Sequence, residues 1–212
     1  NQNGRLNYMH LHWPREEKYF EEGEKILSVR KCVSRPVFVY TDIEAYVMMS
    51  VNVIKSPRWN MKFLTGLLNS KLVKYWLKYK GKMQGTNFQV DKEPLQEIPI
   101  IKPSKEKQEI VARLVDFIIE IKQNPDERFD KYSDNDFVLM KIEDIINALV
   151  FEMYFKKDVE AKKLRVSSML SEVICPDIRE FLNVIFSDKC KLLNEIKLMN
   201  MYLDFLKPIL SM

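Results

Sequence analysis

The sequence predicts an α+β protein: a small mixed β-sheet domain with packed helices, then a long spacer helix and an all-helical C-terminal region. Three observations carry this expectation. The first hundred residues hold short β-branched and aromatic runs, "KILSVRKCV", "PVFVYTD" and "AYVMMSVNVIK", separated by Pro and charged residues. Past residue 56 the apolar positions recur at helical spacing. After Pro103 every apolar run keeps that helical period. The expected divisions are 1–103 for the mixed domain, 104–123 for the spacer helix and 137–212 for the helical region. Between the last two lies "QNPDERFDKYSDND", polar, acidic and broken by proline, where a protease is expected to cut first.

The three runs predict strands over 25–33, 36–42 and 45–55. "PRWNMKFLTGLLNSKLVKYWLKYKGK" predicts one helix, with Met61, Leu64, Leu68, Leu72, Tyr75 or Trp76, and Tyr79 along a stripe that packs on the core. Gly81 is its natural stop. Residues 87–90 are too short to assign alone and fit a strand returning to the sheet. Prolines 94, 99 and 103 close this half. Ser104 is a good N-cap with Glu106 in the first turn. Val111, Leu114, Ile118 and Ile121 then follow the spacing of a bundle seam, and Asn124-Pro125 ends the helix. Four further amphipathic stretches follow, one with Pro176 in its first turn. Their many Met and Leu residues indicate helix–helix packing rather than a ligand site.

At 212 residues, 46% hydrophobic and 30% charged, the chain has the composition of a globular protein with a core. No apolar run approaches the roughly 20 residues of a membrane span. The start carries neither a signal peptide nor an initiator Met, and is read as a piece cut from a longer protein. Cys32, Cys175 and Cys190 are odd in number and lack C-x-x-C spacing. With His10 and His12 the sole histidines, no metal site is expected, and a reducing cytoplasm fits.

Charge is unevenly spread. Residues 1–100 carry 16 Lys+Arg against 10 Asp+Glu, whereas the remainder carries 18 against 20. From residue 45 to 90 there are eight basic residues, Lys55, Arg58, Lys62, Lys71, Lys74, Lys78, Lys80 and Lys82, and no acid. At the chain's overall acid content about six would be expected there, so the gap marks a surface suited to a polyanion. On a helix, Lys71, Lys74, Lys78 and Lys82 share an arc of roughly 80°. Such a row needs open water or an anion opposite it. The loop "GKMQGTNFQ" follows, where Gln84, Asn87 and Gln89 carry amides suited to an adenine edge, and Lys82 suits guanine or phosphate. A membrane surface competes for the same cationic face, but the apolar stripe is needed for the core. Trp59, beside Arg58, and Trp13 either stack on nucleic acid or cap the core; the core is favoured.

In order and spacing, "EEGEKILSVRKC", "PVFVYTD", "YVMMSVNVIK", "FLTGLLNSKLVKYWL" and "GKMQGTNFQVDKEPLQEIPI" resemble the TaqI-like C-terminal specificity domain, over about residues 18–122. That domain occurs in type IIG restriction-modification enzymes and adenine-specific DNA methyltransferases. "IPIIKPSKEKQEIVARLVDFI" resembles the proline-punctuated lead into the spacer helix of type I restriction specificity subunits. "IEDIINALVFEMYF" is similar to a helical segment that often follows the domain. The resemblance implies a target recognition domain for double-stranded DNA, with methyltransferase or endonuclease domains of the same polypeptide as partners, in a bacterial or archaeal cytoplasm. S-adenosylmethionine and Mg2+ are expected only of that parent enzyme, and no cofactor of this fragment. Base-reading residues differ with the target in this family, so only locations transfer, near 30–35, 56–59 and 80–89. Arg30, Lys31, Arg35 and Thr86 thereby join Gln84, Asn87 and Gln89 as candidate readers. Lys55, Arg58, Lys71, Lys74, Lys78, Lys80 and Lys82 are the candidate phosphate contacts. The rival readings are a helical interaction or oligomerisation module whose basic face is merely solvated, and binding of structured RNA.

No catalytic residue is expected. The N-P-P-[YFW] loop and the S-adenosylmethionine glycine motif of an amino-methyltransferase are missing, and Asn124-Pro125-Asp126 does not substitute. Asp116, Glu120 and Lys122, with Asp126 and Glu127 nearby, mimic a nuclease cluster only loosely and fit a solvated helix face. His10 and His12 read as a polar strand face, and Cys32 as a half-buried strand residue.

Overall fold

The computed structural model describes residues 16–161, 163–187 and 190–210, with side chains omitted at 161 and 202–210. His10, His12 and Trp13 lie outside the described residues. After a single 3-10 turn the order is β1 (Lys25–Val29), β2 (Lys31–Val33), β3 (Phe38–Thr41), β4 (Val51–Ile54), α1 (Met61–Leu68), α2 (Lys71–Lys80), β5 (Lys82–Gln84), β6 (Asn87–Gln89) and α3 (Lys92–Gln96). Then come α4 (Lys105–Gln123), α5 (Asn135–Tyr154), α6 (Lys156–Ala161), α7 (Val166–Val173), α8 (Ile178–Ile185) and α9 (Leu192–Leu210). This is the α+β arrangement expected. Among the described residues no helix is long and apolar enough to cross a membrane.

The strands form two antiparallel three-stranded sheets, ordered β3-β1-β4 and β2-β6-β5. The run expected as one strand over 25–33 is therefore two, split at Arg30. The Arg30 N–H donates to the Ser50 carbonyl at 2.8 Å, on the side of the first sheet. Its own carbonyl accepts from Val90 N–H at 2.7 Å, on the side of the second. One residue cannot pair in both ladders and keep a continuous strand. Asn52 Nδ2 adds a second tie, donating to the Val90 carbonyl at 2.8 Å. The expected strand 45–55 shortens to β4, because the Val51 N–H closes a turn on the Met48 carbonyl at 3.0 Å. Beneath this loop Lys25 is fully buried, its ammonium donating to the carbonyls of Glu21, Gly23 and Ile43. Burial holds its pKa below the usual lysine value, with Lys55 nearby adding to the effect.

The single helix expected past residue 56 is also two. Asn69 breaks it: its side chain accepts from Phe38 N–H at 3.1 Å and donates to the carbonyls of Phe38 at 2.7 Å and Thr65 at 2.9 Å. It thus pairs the outer edge of β3 as a further strand would, blunting that edge. Ser70 restarts the helix by capping Val73 N–H. The break changes the phase of α2. Its buried residues are Val73 and Leu77, while Leu72, Tyr75 and Trp76 are half-buried and Tyr79 is exposed. The expected core stripe holds for Met61, Leu64 and Leu68, continues half-buried through Leu72 and Trp76, and ends before Tyr79, which is exposed.

α1 packs on α4 at Gly66, where a Cβ would stand 2.7 Å from Val111 Cγ1 and 3.2 Å from Val115 Cγ2. Glycine is required here for close approach, not for its φ. α4 begins at the expected cap, Ser104, whose hydroxyl accepts from Lys107 N–H. It buries Ile110, Val115 and Phe117 besides Val111, Leu114 and Ile121, while Ile118 is half-buried. The broad apolar face follows from α1 and α5 both packing on it. One hydrophobic cluster runs from Ile26 through α4 to Met199 of α9. Glu152 of α5 is a buried polar node in it, accepting from Lys107 Nζ at 2.9 Å and Ser167 N–H at 2.9 Å, and from the Ser167 hydroxyl.

Residues 124–134, expected as a cleavable connector, are anchored. Phe129 and Asp130 are buried. Asp130 accepts from the N–H groups of Tyr132 and Ser133 at 2.9 and 2.7 Å. Burial pushes the Asp130 carboxyl up, but these backbone donors outweigh it and leave its pKa below the usual value. Arg179 of α8 donates to the Arg128 carbonyl and pairs with Glu127. Pro176 lies just outside α8, whose cap is Asp177.

The tightest helix contact yields a direct test. Gly66→Leu should lower stability by about 3 kcal/mol, the upper range for overpacking, measured by urea unfolding. An unchanged midpoint would mean that α1 and α4 do not meet at this glycine.

Candidate nucleic-acid interface

The second sheet gathers most of the candidate readers. Its register places Lys31, Gln89 and Lys82 in one row across β2, β6 and β5; Cys32, Phe88 and Met83 in the next; and Val33, Asn87 and Gln84 in the third. Side chains alternate along a strand, so the outer rows share a face and the middle row takes the other. Cys32 and Phe88 are buried and Met83 packs against the core. The opposite face presents Lys31, Lys82, Asn87, Gln84 and Val33 exposed, with Gln89 half-buried. The segment 81–89, expected as a loop with 87–90 fitting a returning strand, is a hairpin of β5 and β6 closed by Gly85-Thr86. Gly85 has φ +62°, the sign a two-residue turn of this hand needs at its first position. A Cβ there would meet nothing within 4 Å, so conformation rather than space selects glycine. Thr86 is exposed at the tip.

Asp91 organises this face from its edge. Its carboxylate accepts from Arg30 Nη2 at 2.9 Å and from Gln89 Nε2 at 2.8 Å, and lies 3.7 Å from Lys82 Nζ. The Arg30 hydrogen bond leads in holding its pKa below 3.8, against the opposing effect of burial. Arg30, Gln89 and Lys82 are therefore held in place. Among the described residues, no polar side-chain partner engages Lys31, Gln84, Thr86 or Asn87, which stand open to a ligand.

Arg35 lies elsewhere. Its N–H donates to the Val33 carbonyl at 2.7 Å across Ser34, which has φ +65°, a γ-turn that ends β2 abruptly. The Arg35 guanidinium then pairs with both carboxylate oxygens of Glu143 on α5, at 3.1 and 3.3 Å. Lys71 is likewise tied to α5, its N–H to Asn147 Oδ1 at 2.7 Å and its ammonium to Asp144 at 3.3 Å. Lys82 sits on β5, so the four-lysine helical row shortens to Lys71, Lys74 and Lys78. Lys74, Lys78 and Lys80 are exposed and, among the described residues, form no ion pair; Lys78 lies 5.5 Å from the Tyr79 ring centre. Lys55 donates to the Lys18 carbonyl at 2.6 Å. Arg58 is exposed in the β4–α1 connection. Trp59 tilts against Phe63, 6.1 Å between rings, and packs on the core. Asp116 is occupied by Lys62, and Glu120 and Lys122 are exposed.

Two features escaped the sequence. Val33 is 74% exposed amid the amide row, which only the strand register reveals. The aromatic side of α2, Leu72, Tyr75, Trp76 and Tyr79, faces Ile98, Pro99, Tyr154 and Phe155 across an open trough of about 200 Å³. The Tyr154 hydroxyl, donating to the Pro99 carbonyl at 2.6 Å, fixes its far wall.

The clasp at Asp91 has a pH signature. A carboxyl whose pKa is depressed in the folded state contributes stability above its unfolded value and loses it as pH falls through the folded one. Asp91→Ala should cost about 1.5–3 kcal/mol at neutral pH, the range for hydrogen bonds to a charged group. The gap to wild type should close as pH falls below 3.8, followed by denaturant unfolding. A gap independent of pH would exclude the charged clasp.

No curated protein matches the chain. The model of one family does match, that of the TaqI-like C-terminal specificity domain, over residues 4–100. The match takes in both sheets and α1 to α3 and stops short of α4, whereas the sequence resemblance extended to about residue 122. Residues 4–100 thus match the TaqI-like C-terminal specificity domain, a family whose role points to DNA target recognition in restriction-modification enzymes.

Proposed function

We propose that this chain recognises a specific double-stranded DNA sequence for a restriction-modification enzyme. Catalytic domains elsewhere in the same polypeptide methylate the selected site and, in a cleaving enzyme, cut it. Those domains supply the S-adenosylmethionine and Mg2+ chemistry, in a bacterial or archaeal cytoplasm. The observation that carries this reading is the outward face of the second sheet, with two lysines and three amides in two rows. A major groove about 12 Å wide accepts such a β surface. The rows span two strand spacings, about 10 Å. Asn87 and Gln84 suit adenine N6 and N7, while Lys31 and Lys82 suit guanine or phosphate. Lys74, Lys78, Lys80 and Arg58 add a sequence-independent attraction to phosphate.

A second reading, a helical protein-interaction module, is favoured by the aromatic trough beside α2. One experiment separates the two. Binding of the chain to duplex DNA should weaken steeply with salt. Lys74→Ala and Lys78→Ala should each lower the slope of log K against log salt by about one and weaken all sequences alike. Gln84→Ala or Asn87→Ala should cost about 1–3 kcal/mol on the preferred sequence alone. Salt-independent binding, or indifference to all four changes, would favour the interaction module.

A further inference from the structure

We propose that Val33 is a specificity-determining residue that reads the C5-methyl group of a thymine, while Asn87 beside it reads the paired adenine. The inference rests on the DNA-recognition reading above and assigns one base pair to one row of the sheet. Val33 and Asn87 are register partners on β2 and β6, and Gln84 continues the row on β5. Directly paired residues carry side chains on the same face, with Cβ atoms about 4.5–5.5 Å apart. That face is turned outward, because the neighbouring pair, Cys32 and Phe88, is buried. Val33 is 74% exposed, against 8% for Cys32 one residue earlier.

An isolated exposed valine is ordinary on a protein surface. The setting of Val33 is not. It is the one apolar member of the six-residue face, and its position is fixed twice. Pairing with β6 holds one side, and the γ-turn at Ser34 holds its carbonyl on the other. That turn places a non-glycine residue at positive φ, a conformation that costs energy and persists where the surroundings impose it. Immediately after Val33 the chain turns to α5, where the Arg35 guanidinium meets Glu143. The valine is left as the terminal apolar surface of the row.

In the major groove an A·T pair offers adenine N7 and N6 to a bidentate amide, and beside them the thymine methyl to an apolar side chain. Asn87 supplies the amide and, among the described residues, no other polar group engages its side chain. Val33 supplies two methyl groups one strand away. The Lys31–Gln89–Lys82 row has no apolar member, and its Gln89 amide is held by Asp91. The A·T assignment therefore falls on the Val33 row.

The test uses the full 212-residue chain and a randomised duplex pool. The enriched duplex is remade with deoxyuridine replacing each thymidine in turn, which removes the methyl and keeps every hydrogen-bonding group. Wild type should lose about three- to fourfold in affinity at one position, the value of one buried methyl-sized group. Val33→Ala should bind the thymidine duplex more weakly by a similar factor and no longer distinguish deoxyuridine there. Asn87→Ala should lose its preference for adenine at that same pair. Val33 is exposed, so an unchanged melting temperature is expected of its variant. Wild type indifferent to every deoxyuridine, or Val33→Ala as discriminating as wild type, would overturn the assignment while leaving DNA recognition standing. A pool that yields no enriched sequence would instead overturn the recognition reading, and the role of Val33 with it.

Discussion

The outward face of the second sheet depends on the carboxylate of Asp91. A sheet of three strands, each three residues long, is too small to be stable by itself. Packing of Cys32, Phe88 and Met83 holds it from below, but that apolar contact is non-directional. Asp91 supplies the direction. It gathers Arg30 from the crossover between sheets, Gln89 from β6 and Lys82 from β5. Two hydrogen-bond donors and one ammonium on separate segments converge on one carboxylate, and charge-assisted hydrogen bonds such as that from Arg30 are about twice as strong as neutral ones. The same carboxylate offsets the charge of Arg30 and Lys82 at the rim of the face.

Once the chain is folded, some basic residues of the acid-free run meet acids and others do not; Lys82 meets Asp91 at the edge of the second sheet and Lys55 a backbone carbonyl. Lys62 and Lys71 meet Asp116 and Asp144, acids supplied by α4 and α5, as does Arg35 with Glu143. Exposed pairs of this kind contribute about 0–1 kcal/mol each, too little to hold two halves together. The hydrophobic cluster around Gly66, Val111 and Val115 does that, and the ion pairs orient the joint. Lys74, Lys78, Lys80 and Arg58 remain outside any described ion pair. The lack of local acids therefore has two causes: a docking surface whose acids come from later in the chain, and a cationic surface open to solvent.

The helical half is joined to the first sheet through buried structure. α4 meets both α1 and α5, and Glu152 fastens α4, α5 and α7 in one polar node. An acid this buried, with three donors around it, is costly to leave unpaired, so the three helices are fixed in one relative arrangement.

The sequence by itself determined which segments fold locally. Hydrophobic period, the cap at Ser104 and prolines separated strands from helices, because those signals act within a few residues. The charge asymmetry and the amide-rich turn were equally legible, since composition needs no partner. Tertiary structure decided what pairs across the chain. Arg30 splits a continuous apolar run because its two backbone groups find Ser50 and Val90, 20 and 60 residues away. Asn69 splits a continuous helical pattern because β3 needs a partner at its edge. Arg35 and Lys71, indistinguishable from their basic neighbours in sequence, turn to α5 because its acids lie there in space. Val33 reads locally as a strand valine, and only the pairing of β2 with β6 shows that it faces outward beside Asn87. Each of these outcomes depends on a contact between distant segments, and strand register, which fixes the face of every side chain, is settled by such contacts.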